Sequence, residues 1–123
     1  MNTRTMLVAL LFYTVPASAQ HGLFSRQGDV GPVLHPGASS YDASADTYLL
    51  SGSGSNIWFT RDEFHYLYTR LRGDFILQAR GQLIGKGVEA HRKFGWMVRT
   101  SLDTGSSMIT AAEIGRASCR ERV

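Results

Sequence analysis

Apolar and polar residues alternate along much of this chain in short runs, broken by clusters of Gly, Ser and Asp. The clearest run is 75–84, where Phe75, Leu77, Ala79 and Leu83 fall on one side and Gln78, Arg80 and Gln82 on the other. A period of two is that of a strand packed on one face. Residues 94–100 separate in the same way, with Phe94, Trp96 and Val98 opposite Met97 and Arg99. Residues 57–60 and 64–69 are aromatic-rich, a composition that suits a pleated, packed surface. Residues 38–41 and 47–51 flank Asp42, Ala43, Ser44, Ala45 and Asp46, which predicts a hairpin. Residues 108–112 open a further strand. Loops are predicted at 52–55, 73–74, 86–93 and 102–107, and Gly and Pro punctuate an irregular lead-in over 20–37. No helical pattern of 10–15 residues separates the strands, which excludes an alternating parallel α/β sheet. The pattern predicts an all-β fold, an antiparallel β-sandwich with one face of each sheet turned inward.

The two ends follow different patterns. Arg4, the apolar run 6–15, Pro16 and the small residues Ala17, Ser18 and Ala19 stand in the order of a secretory signal peptide. The run is too short to span a bilayer, which takes about 20 apolar residues. Residues 1–19 are therefore expected to be removed before Gln20, giving a periplasmic or secreted protein. At the other end, EIGRASCRERV (113–123) has no apolar stripe that would dock it as a helix. Its back-translation resembles a widely used short-read sequencing adapter read in frame, from the last two bases of codon 113 to residue 123. Residues 113–123 are expected to be a non-native tail, with 38–112 the N-terminal part of a longer, truncated domain.

Setting both ends aside changes the electrostatics. The whole chain has a formal charge of +3. Residues 20–112 hold nine basic and eight acidic side chains, a balance of +1, so no nucleic-acid partner is implied. The single cysteine, Cys119, lies in the tail, which leaves no thiol or disulfide chemistry between 20 and 112.

Candidate chemistry is sparse. Asp62 and Glu63 are adjacent, so on a strand they point to opposite faces and do not form an acid–base pair. They are expected in a solvated turn. His21, His35, His65 and His91 have neither the spacing nor the cysteines of a zinc site. His65, inside an aromatic strand, is expected to be a hydrogen-bonded structural histidine. Asp42 and Asp46 suit an Asx-turn better than calcium. Gly52, Ser53, Gly54 and Ser55 match neither a phosphate loop nor a nucleophile elbow and are expected to be flexible hairpin residues. No catalytic residue, cofactor or metal is expected.

The stretch GSGSNIWFTRDEFHYLYTRLRGDFILQARG (52–81) resembles a motif of the secreted concanavalin-like jelly-roll domains of the "regulation of enolase" or unknown-function type. The residues that carry the resemblance are Asn56, Ile57 and Trp58; Phe64, His65, Tyr66, Leu67 and Tyr68; and Gly73, Asp74 and Phe75. KFGWMVRTSLD (93–103), with Trp96, resembles the next signature. The lead-in GDVGPVLHPG and the loop GKGVEAHRKFGW are closest to a subgroup in which the jelly roll precedes a TolB-like β-propeller, whose members are sometimes named biopolymer transporters. The resemblance implies a concanavalin-like jelly roll, export, and a non-catalytic module that recognises a carbohydrate or a protein, its own downstream propeller included. The aromatics are expected to be mostly core. Gln78, Arg80, Gln82 and Arg99 are the candidate ligand-binding residues, since neighbouring strands would place them on one sheet face suited to planar hydrogen bonding with a glycan. The alternatives are a fragment of a jelly-roll glycoside hydrolase, though its Glu-x-Asp-x-x-Glu carboxylates are absent here, and a structural spacer in a Tol-type assembly.

Overall fold

The computed structural model describes residues 21–85, 87 and 89–115. The signal peptide, its cleavage point and residues 116–123 of the tail lie outside the described residues.

The described chain is all-β, with six strands in three antiparallel two-stranded ribbons and no helix. In chain order the strands are β1 (Arg26–Val30), β2 (Ala38–Asp42), β3 (Thr47–Ser51), β4 (Phe64–Tyr68), β5 (Arg92–Arg99) and β6 (Met108–Gly115). The ribbons pair β1 with β4, β2 with β3, and β5 with β6. Among the described residues no helix is long and apolar enough to cross a membrane.

The hairpin β2–β3 forms where its sequence predicts it. Asp42 Oδ1 accepts bonds from Ser44 N–H at 2.9 Å and Ser44 Oγ at 2.6 Å, closing the Asx-turn. These bonds hold its carboxyl below the ordinary 3.8. Asp46 takes the left-handed conformation (φ 48°) and accepts the Tyr41 hydroxyl at 2.9 Å. Tyr41 and Tyr48, directly opposite in the register, stack at 4.5 Å.

β1–β4 is the middle ribbon. Its register sets Asp29 against His65 and Val30 against Phe64. Gln27, Asp29, His65 and Leu67 therefore share the face toward β2–β3, and Val30, Phe64, Tyr66 and Tyr68 share the face toward β5. On that second face the Tyr66 hydroxyl donates to Met97 O at 2.8 Å, and Tyr66 stacks on Tyr68 at 5.2 Å. Val30 and Leu67 are the buried apolar residues of the described chain, so the core is small and centred on this ribbon.

Three differences from the sequence pattern have physical causes. The lead-in, expected to be irregular, contains β1. RQGDV has no apolar alternation; it is a strand because β4 supplies its ladder and because Gln27 and Asp29 bond across to the hairpin. Residues 75–84, the clearest alternation in the chain, form no strand. Part of their apolar side lines a surface cleft: Phe75, itself 46% exposed, and half-buried Leu77 border a space of about 250 Å³ with Trp96, Val98, Ile109 and Ala111 of β5–β6. Side-chain alternation chooses a face, but a strand also needs a neighbour for its backbone groups, and the segment has none among the described residues. Residues 57–60 form turns instead of a strand, with Phe59 at φ 77°. The β5–β6 ladder continues through 113–115, the first residues of the adapter-like tail, opposite Phe94, Lys93 and Arg92.

Candidate functional site

The four residues expected to share a binding face are not brought together. Gln78, Arg80 and Gln82 are exposed on the extended segment 75–84, and none of them forms a side-chain hydrogen bond or ion pair with another described residue. Arg99 instead lies under the chain. Its side chain is 2% exposed and its Nη1 donates to Asp62 Oδ2 at 2.9 Å. Nε donates to Ser101 O at 2.8 Å, Nη2 donates to Asp103 O, and the guanidinium sits 5.1 Å from the centre of the Phe64 ring. A cation taken from water at this depth requires such a set of partners, and each of its three nitrogens already donates within the chain.

Asp62 and Glu63 were expected in solvent, and both are buried. Asp62 is the counter-ion of Arg99. Glu63 accepts Ser55 Oγ at 2.9 Å, Ser55 N–H at 3.2 Å and Arg61 Nη2 at 2.9 Å. The Ser55 bonds, first among the causes, hold its carboxyl below the ordinary range. The two carboxylates are consumed in fixing the 52–63 loop, which leaves neither for acid–base work. The loop glycines also differ from expectation: a Cβ on Gly54 would sit 1.8 Å from Glu63 O, so Gly54 serves a close approach of two backbones.

The motif residues occupy structural places. Asn56 O accepts the Glu63 N–H at 2.8 Å. Phe64, His65 and Tyr66 are consecutive on β4. Gly73 turns the chain at φ 77°. Trp96 lies 6.3 Å from Phe24. Trp58 is exposed, with Lys93 Nζ 6.0 Å from its ring centre.

A different group does converge. Asp29 of β1, His65 of β4 and Ser39 of β2 form a continuous chain of hydrogen bonds on the middle ribbon. Asp29 Oδ1 lies 2.8 Å from His65 Nδ1, and His65 Nε2 lies 2.9 Å from Ser39 Oγ. The His65 side chain is 5% exposed. Gly37 N–H donates to both oxygens of Asp29, at 3.1 and 3.0 Å. Asp29 is held below its ordinary 3.8, first by the His65 bond, against desolvation, and then by Gly37 and the charge of His65. Gln27, two residues before Asp29 on the same face, accepts the Ser39 N–H at 2.7 Å and donates Nε2 to Ser39 O at 3.4 Å. Sequence reasoning placed His65 as a hydrogen-bonded histidine and named neither partner. Asp29 and Ser39 stand 36 and 26 positions from His65, and only the β1–β4 register and the hairpin bring them together.

Comparison with protein-family models, with curated proteins and with solved structures finds no match to this chain. Among the described residues no group of His, Cys, Asp and Glu is placed to hold a metal ion.

Proposed function

We propose that this chain is an exported recognition module of the concanavalin-like jelly-roll kind, acting ahead of a TolB-like β-propeller, and that residues 75–84 present its binding surface. One observation carries this reading. Gln78, Arg80 and Gln82 project from alternate positions into solvent, while Phe75 and Leu77 of the same segment line the apolar cleft over β5–β6. A row of planar hydrogen-bonding groups beside an aromatic-lined cleft suits the hydroxyl-rich edge and apolar face of a sugar. At this surface the role is recognition without turnover, a reading supported by the lack of a carboxylate pair beside the three side chains among the described residues.

Retention on immobilised glycans tests the reading. Arg80→Ala, and the double variant Gln78→Ala/Gln82→Ala, are expected to weaken retention by about tenfold or more, roughly the loss of one to two good hydrogen bonds. Retention unchanged in both variants would reject the glycan reading. Protein docking is the second reading, favoured by Ile76 and Ile84 on the same segment, which are 94% and 67% exposed. It is tested by binding of the separately expressed propeller to the same variants.

A further inference from the structure

The Asp29–His65–Ser39 chain has the connectivity of a nucleophile relay: carboxylate to imidazole, imidazole to hydroxyl, each within hydrogen-bond reach. Asp29 and His65 are cross-strand partners, so the ladder itself fixes their separation. With Asp29 ionised, Nδ1 carries the imidazole proton and Nε2 offers its lone pair to Ser39 Oγ. The Gln27 carboxamide is pinned beside the serine, its Oε1 accepting the Ser39 N–H at 2.7 Å and its Nε2 3.4 Å from Ser39 O.

We propose that Ser39, His65 and Asp29 form an esterase site for acyl esters, with Ser39 the nucleophile, His65 the base, Asp29 a positioning residue and Gln27 Nε2 the donor to the oxyanion. Ser39 Oγ bonds to the ester carbonyl carbon as its proton passes to His65 Nε2. The carbonyl electron pair moves to oxygen and faces Gln27. When the pair returns, the alkoxide leaves with the proton from His65. Water then attacks the acyl-serine, gives a proton to His65, and releases the carboxylic acid as that proton returns to Ser39 Oγ. This activity is additional to recognition at 75–84 and does not depend on it.

The test needs no variant at first. The full chain is treated with a fluorophosphonate, and peptides are mapped by mass spectrometry; the expected result is a single adduct on Ser39. Hydrolysis of p-nitrophenyl butyrate is then followed. Ser39→Ala is expected to abolish both the adduct and the turnover. Asp29→Asn is expected to lower kcat by about 100-fold or more with KM little changed, and to shift the pH–rate profile. Variant folds are compared by far-ultraviolet circular dichroism. An unlabelled Ser39 in the unmodified chain, or wild-type turnover in Ser39→Ala, overturns the site. An unchanged profile in Asp29→Asn overturns the role of Asp29.

Discussion

Asp62 and Arg99, 37 positions apart, meet in a buried ion pair at 2.9 Å that ties the 52–63 loop to the end of β5. The side chains are 8% and 2% exposed, so neither charge has water to fall back on. Removing one partner leaves the other uncompensated, which costs about 3–5 kcal/mol. Asp62→Asn and Arg99→Ala are each expected to unfold the protein at room temperature or to lower its denaturant midpoint sharply. In a double-mutant cycle built on Asp62→Leu and Arg99→Met, the double variant is expected to be less destabilising than its two single variants added. Additive losses would argue against a coupled pair.

Asp29 gives the stability a pH dependence whose sign follows from its partners. The carboxyl is depressed in the folded chain, chiefly by His65, so its contribution is present above the unfolded value of 3.8 and is lost as pH falls through the lower folded value. Urea titrations between pH 5 and pH 2 are expected to show falling stability, and Asp29→Asn is expected to flatten part of that slope. An equal slope in the variant would mean that other carboxylates, such as Glu63, account for all of it.

Gly37 is expected to be intolerant of a side chain. A Cβ there would lie 2.3 Å from the His65 ring, against a side chain already held at both nitrogens. Gly37→Ala is expected to cost about 1–3 kcal/mol, as overpacking does, and to shift the His65 ring signals in NMR spectra. A variant with wild-type stability and unmoved His65 signals would mean that the approach is looser than drawn.

Phe59 is 95% exposed and holds a left-handed backbone at φ 77°. A bulky residue pays about 1 kcal/mol for that conformation and recovers no packing here. Phe59→Gly is therefore expected to raise the thermal midpoint, or at least leave it unchanged, although it removes a large aromatic. A marked fall in calorimetry would show that Phe59 makes a stabilising contact.

The sequence revealed faces better than partners. The hairpin was legible because Asp42 and Asp46 bracket its turn with side chains that bond locally. The apolar side of 75–84 was legible only in part: alternation picks out Phe75 and Leu77, which border the cleft, but Phe75 and Ala79 remain exposed. What period alone could not supply was pairing. β1 is polar and owes its strand state to β4, whereas 75–84 alternates well and has no neighbour to bond. The same gap separated the candidate site from its prediction. Arg99 alternates like a surface residue, and only tertiary contact with Asp62 shows that it is buried. Ser39, His65 and Asp29 carry no local motif; their proximity comes from register.

Each ribbon is only two strands wide, so among the described residues every strand has one edge whose N–H and C=O groups meet no further strand. Such edges are templates for backbone pairing with any extended segment that approaches. Gln27 covers part of the β2 edge by bonding Ser39 N–H and O, and the remaining edges among the described residues are vacant seats for an incoming strand, on a body with little apolar interior to hold its own shape. Its behaviour in solution will depend on how much of it is present. At low concentration the edges are expected to be hydrated, and at higher concentration to be filled by other copies, as in fibre-like assemblies whose strands run across the growth axis.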